Sequence, residues 1–152
     1  MISGRRTARE TALLVLFSVD VGKKPDYDGA LSTFGEHLKD DHEVLTHLLG
    51  HSDYDPAPDS LLNRARKTLD PEGAHWQFVQ RMVRGVDAHS KAIDELIERF
   101  SLNWKVSRMG RVDRNILRLA AYELAFESDV PSRATLNEAI EIAKRFGSED
   151  SG

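Results

Sequence analysis

The chain contains no cysteine. That excludes disulfides, thiolate metal ligands and a cysteine nucleophile together, and it fits a reducing compartment. Long apolar runs are missing too: no stretch approaches the roughly 18–20 apolar residues that cross a bilayer. The start of the chain lacks the apolar core followed by small residues that marks a cleaved signal peptide. The cytoplasm is therefore the expected location. Period-two alternation does not occur, and β-branched residues are scattered, which argues against a sheet. Without strands, no glycine-rich loop can follow one to cradle a phosphate. Gly-x-Ser-x-Gly is absent, and carboxylate pairs such as Asp94/Glu98 and Glu138/Glu141 are explained as wet helix faces. No cofactor and no enzymatic activity are expected.

Metal binding fares no better. His42-Glu43-Val-Leu-Thr-His47 resembles a zincin motif, but a zincin needs its histidines four residues apart on one helix face. A spacing of five turns the second imidazole about 140° away from the first. His47 and His51 do have the right spacing, but Gly50 interrupts them and a turn follows. These are expected to be surface histidines.

What is present is a chain of 152 residues, 30% charged and 40% hydrophobic, suited to a single domain with its own core. Its net charge of −4 argues against a surface that is basic all over, but the charge is unevenly placed. Residues 1–24 hold five Lys/Arg against two acids, and residues 25–75 hold four against eleven. Farther on, Arg99, Lys105, Arg108, Arg111, Arg114 and Arg118 face only Asp113 within 99–118. Two basic zones flank an acidic middle, and such local fields can steer an anionic polymer.

Apolar spacing reads as an all-α domain. Thr7-Ala8-Arg9-Glu10 fits a capping box, which predicts a helix over about 8–21 that ends at Gly22. Ala12 to Phe17 is apolar without a break, so this helix is expected to be surrounded on most sides. Residues 23–75 carry turn chemistry in Lys-Lys-Pro-Asp-Tyr-Asp-Gly and again in residues 51–58. Between these, Leu31, Phe34, Leu38, Val44, Leu45, Leu48 and Leu49 suggest one or two short helices. Leu61, Leu62, Ala65 and Leu69 suggest another, capped by Asp59 or Ser60, so 23–75 reads as a helical acidic insertion. From Trp76, apolar residues recur at threes and fours for about 25 positions. A break near 104–110 precedes a second run through Leu124, Asp129-Val-Pro131 punctuates it, and a last helix spans roughly 133–146 before Gly147.

The first helix poses a question. Arg5, Arg6 and Arg9 stand at its entrance, where the helix dipole disfavours cations by ~0.3–1 kcal/mol. If both are helical, Arg5 and Arg9 also repel each other as i,i+4 neighbours. The free amides of a helix start favour an anion, and guanidinium forks grip phosphate oxygens. A phosphate ligand would answer the question; a solvated basic arm is the alternative.

Three blocks bear on that choice. They are Arg5-Arg6-x-Ala8-Arg9-Glu10-x-Ala12-Leu13-x-x-Leu16-Phe17, then Arg111-Val-Asp-Arg-Asn-Ile-Leu-Arg-Leu-Ala-Ala-Tyr-Glu-Leu124, then Asp129-Val-Pro131 with Asn137–Lys144 and Phe146–Ser151. In this order they resemble the bacterial transcription antitermination factor NusB family. The resemblance implies an all-helical fold of two packed helical subdomains, no catalysis, and RNA binding. It further implies pairing with NusE, a small-subunit ribosomal protein, on single-stranded boxA-type RNA, and modification of elongating RNA polymerase. It assigns Arg5, Arg6 and Arg9 to an arginine-rich RNA-binding arm, with Thr7 where many relatives have another basic residue. Phe17 takes a position where the family has an aromatic near RNA, although core packing also explains it. Asp150 matches an acidic position of the C-terminal turn close to RNA. Arg114 and Arg118 either extend the basic surface or pair with acids such as Asp113. By the same resemblance a short C-terminal helix with Phe-Val-Asn-Gly is missing after Gly152, and 23–75 is longer than usual. Two other readings stay open at this point: the RNA-binding fragment of an RNA cytosine methyltransferase, and a self-associating helical scaffold that forms a homodimer.

Overall fold

In a computed structural model of the chain, the described residues are 4–22, 25–40, 65, 69, 73–101 and 105–146. Their elements are α1 (Gly4–Val21), α2 (Tyr27–Asp40), α3 (Ala74–Ala88), α4 (Ser90–Phe100), a 3₁₀ turn (Val106–Arg108), α5 (Arg111–Phe126) and α6 (Ser132–Phe146). No strand occurs among the described residues, so the all-α expectation holds. The chain divides into two compact units, Met1–Arg81 and Met82–Gly152, and α3 contributes to both.

In the first unit, α1 is the central element that its apolar run predicts. Every residue from Thr7 through Leu16 is buried, and so is Val19. Such a helix is held by packing on all its faces rather than by one amphipathic stripe. Helix α2 packs on α1 and sinks Leu31 and Phe34, each 2% exposed, into the core. The Phe34 ring stacks on Trp76 of α3 with centroids 6.0 Å apart. Asp26 caps α2: its carboxylate Oδ1 accepts from the Gly29 amide at 2.9 Å, and its carbonyl accepts from Ala30. Part of the acidic segment 23–75 is thus core-forming. The proposed cap at Asp59 or Ser60 and the histidines at 42, 47 and 51 lie outside the described residues, as do Gly147 and the end of the chain.

Two boundaries differ from the sequence reading. Helix α1 begins at Gly4, not near residue 8, so Thr7 and Glu10 are interior residues, 1% and 0% exposed, rather than a capping box. The cause is tertiary. The start of α1 lies close against α3, and a Cβ on Gly4 would stand 2.6 Å from His75 Nε2. Contact with another helix extends α1 upstream of its local start signal. The predicted end holds, since the Gly22 amide donates to the carbonyls of Ser18 and Val19. The 25-residue periodic run likewise becomes two helices that meet at His89.

The second unit packs Met82, Val83 and Val86 of α3 with Ile93 and Ile97 of α4, Val106, Met109, Ile116, Leu119, Tyr122 and Ile142 as its buried apolar set. Gly85 is required where the Tyr122 ring crosses it, because a Cβ there would lie 2.0 Å from Tyr122 Cε1. Polar contacts also join its elements. Thr135 Oγ1 donates to Glu123 Oε2 at 2.8 Å, and the Val106 amide donates to Glu98 Oε1 at 3.0 Å.

Candidate nucleic-acid interface

The early start of α1 changes the setting of its arginines. Arg5 and Arg6 now belong to the first helical turn, which holds no acidic residue to complement the dipole. Both are half-buried, whereas Arg9, one turn on, is only 6% exposed. The arrangement is a packed basic surface, not a loose arm.

The packing partner is Phe78 of α3. The Arg5 guanidinium carbon lies 4.0 Å from the Phe78 ring centroid. Arg9 lies 5.7 Å from the same centroid, and Arg81 5.5 Å. A phenyl face attracts cations through its quadrupole, by ~0.5–1 kcal/mol at exposed sites and ~2 or more when desolvated. The ring itself is 1% exposed. A guanidinium stacked by its flat face keeps its in-plane N–H groups for other acceptors. For Arg5, the buried Nη1 has no hydrogen-bond partner among the described residues.

Sequence reading found Arg5 and Arg9 but missed Phe78 and Arg81. The local signal was an aromatic and an arginine at i,i+3 on one helix, which are neighbours on its surface. Nothing in the sequence links that pair to Arg5, which is far away along the chain.

The remaining candidates divide. Phe17 is half-buried near the end of α1. Arg114 is half-buried in the first turns of α5, whose opening turn holds Asp113. Arg118 is engaged: its Nε donates to Asp94 Oδ1 at 2.8 Å and its Nη2 to Asp94 Oδ2 at 2.9 Å. Its Nη1 reaches Asn115 Oδ1 at 3.4 Å, and Asn115 Nδ2 donates in turn to the Arg111 carbonyl. The partner is thus Asp94 of α4, not Asp113, and the fork fastens α4 to α5. Asp150 lies outside the described residues. No group of three or more His, Asp or Glu among the described residues could hold a metal ion. No described helix is long and apolar enough to cross a membrane.

Comparison with known proteins agrees with this fold. The family model described as the NusB family matches residues 6–152. The chain is 40% identical over 149 residues to transcription antitermination protein NusB of Desulfitobacterium hafniense (strain DSM 10664 / DCB-2), covering 97% of this chain and 80% of that protein. Against the protein of the same name from Bacillus subtilis (strain 168), identity is 38% over 145 residues, covering 95% and 83%. A solved structure of T. maritima NusB superposes with a TM-score of 0.60 at 32% identity, covering 99% of this chain and 84% of that one. A family match over nearly every residue, together with helices in the same arrangement, leaves one conclusion: the chain belongs to the NusB family.

Proposed function

We propose that this protein is a non-catalytic, cytoplasmic RNA-binding adaptor of transcription antitermination. It pairs with the ribosomal protein NusE on single-stranded boxA-type RNA, and the complex acts on elongating RNA polymerase. The relatives above carry the antitermination role in their names. The observation that carries the reading here is the set Arg5, Arg6 and Arg9 on the first two turns of α1, placed where their charge opposes the helix dipole. Phosphate docking turns that cost into a gain, because the amides of the helix start and the guanidinium forks then share one anion.

In this reading Arg5 and Arg6 grip phosphates, Arg9 adds positive potential from beneath, and Phe17 borders the RNA face. Base recognition comes from splayed or stacked single-stranded bases rather than from groove reading. Arg114 is a peripheral addition. Arg118 takes no part while its fork is occupied by Asp94.

The test is binding of boxA-type RNA and NusE, each alone and both together, across a salt series. Two phosphate contacts, at Arg5 and Arg6, give a slope of log affinity against log salt of roughly −1.4, at about 0.7 per phosphate for single strands. Changing Arg5, Arg6 and Arg9 together to Ala should abolish most of that slope. If affinity and slope are unchanged, the assignment is wrong.

A further inference from the structure

We propose that Phe78 and Arg81 of α3 belong to the RNA-binding surface. Arg81 contacts phosphate directly, and Phe78 is a positioning residue whose ring fixes where the guanidiniums stand. This rests on the RNA reading above and extends it to a second helix.

The observation is three guanidiniums within 6 Å of one phenyl centroid: Arg5 at 4.0 Å, Arg81 at 5.5 Å and Arg9 at 5.7 Å. Arg5 therefore lies within about one Debye length, ~10 Å at 0.1 M salt, of each of the other two, so their mutual repulsion is poorly screened. The ring offsets part of it, through an attraction that falls off with distance and is shared among three cations. A polyanion is drawn to three cations held this close, because one phosphate chain brings a full negative charge at each repeat. The exposed member of the set is Arg81, while Arg5 is half-buried and Arg9 buried. Arg81 is thus the guanidinium that solvent, and a strand approaching from solvent, meets first. Arg5 Nη1 is buried and has no hydrogen-bond partner among the described residues, so it is not the atom that an arriving phosphate oxygen meets, which leaves the exposed Arg81 as the point of contact.

Phe78 acts differently. At 1% exposure it cannot stack on a base, so its contribution passes through the cations gathered over it. Core packing alone would need only its volume. The positioning role needs its negative π-face.

The experiment uses the full chain and a fluorescein-labelled boxA-type RNA oligonucleotide, with affinities measured across a salt series. Arg81→Gln should weaken binding about fivefold and reduce the salt slope by about 0.7. Replacing Phe78 with pentafluorophenylalanine keeps the shape of the ring while reversing its quadrupole. It should weaken binding about threefold with the helical circular dichroism signal unchanged, because the guanidiniums lose their seat while the fold is kept. Phe78→Leu serves as the packing control, with folding checked by circular dichroism. Arg5→Gln is measured alongside. If Arg5→Gln loses affinity while Arg81→Gln and the fluorinated ring bind like the parent, the proposal is overturned and the RNA reading stands. If Arg5→Gln also binds like the parent, the RNA reading itself falls.

Discussion

Arginine is used in two opposite ways in the two units. In the first, the Arg5 guanidinium carbon stands 4.0 Å over the Phe78 ring centroid, and its Nη1 has no hydrogen-bond partner among the described residues. In the second, Arg118 commits its fork edge-on to both oxygens of Asp94, with side-chain exposures of only 14% and 30%. Stacking satisfies a cation weakly and leaves its hydrogen bonds for a ligand. A bidentate carboxylate satisfies charge and donors at once and leaves little for a ligand to take up. The same residue type is therefore stacked on a ring in one environment, where we propose that it binds RNA, and is a rivet in the other. Its immediate partner tells which, and charge counting along the sequence does not. Residues 99–118 are the more basic stretch by composition, yet the anion site we propose is the α1–α3 cluster.

The comparison breaks if the rivet turns out to bind RNA. Asp94→Ala leaves the partly buried Arg118 guanidinium without its carboxylate. We expect a loss of about 2–3 kcal/mol of stability, below the value for a fully buried pair because both side chains keep some solvent. At this chain length that lowers the thermal midpoint by several degrees, since each kcal/mol is worth ~2–4 °C for proteins of 150–250 residues. Denaturant titration measures the loss, and RNA affinity should stay at the parent value. A change in affinity while stability holds would assign Arg118 to the interface.

A gentler change sharpens the contrast. Arg118→Lys keeps the charge but replaces a two-pronged fork with a point donor, and should cost about 1 kcal/mol. The corresponding readout on the other side is RNA affinity at Arg5. If Arg118→Lys is neutral, charge alone holds α4 to α5 and the bidentate geometry is incidental.

How much of this was legible beforehand follows the same divide between local and distant causes. The burial of α1 was readable, because an unbroken apolar run can be satisfied only by cover on every face. The last helix, expected over 133–146 and observed as Ser132–Phe146, was readable from its apolar spacing. The start of α1 was not. Thr7 and Glu10 carry a genuine start signal, and contacts with His75 and Phe78 on another helix override it. Nor was the partner of Arg118 readable. Asp113 is the neighbour in sequence, but Asp94, 24 residues away, is the neighbour in space. Arg5 and Arg9 could be picked out by type and position. Phe78 could not, because a buried phenylalanine in a periodic run looks like every other core residue until the fold places cations around it.

The smallest expected effect asks whether the polar interior of α1 is part of the binding design or only a cost. Thr7, Arg9, Glu10 and Thr11 are all buried in this helix, a density of polar groups that an apolar core disfavours. Thr11 is the clearest case: it is 0% exposed, and its Oγ1 has no hydrogen-bond partner among the described residues. Val has nearly the shape of Thr without the hydroxyl, so Thr11→Val removes the desolvation penalty and leaves the packing in place. The expected result is a gain of about 0.5–1 kcal/mol, with RNA affinity unchanged, because Thr11 touches neither the Phe78 ring nor its cations in the contacts above. A gain of that size makes the hydroxyl a tolerated liability of a helix held firmly from all sides. A loss of stability would mean that the hydroxyl is satisfied in solution. A loss of RNA affinity at constant stability would carry the binding surface one turn deeper into α1 than the arginines reach.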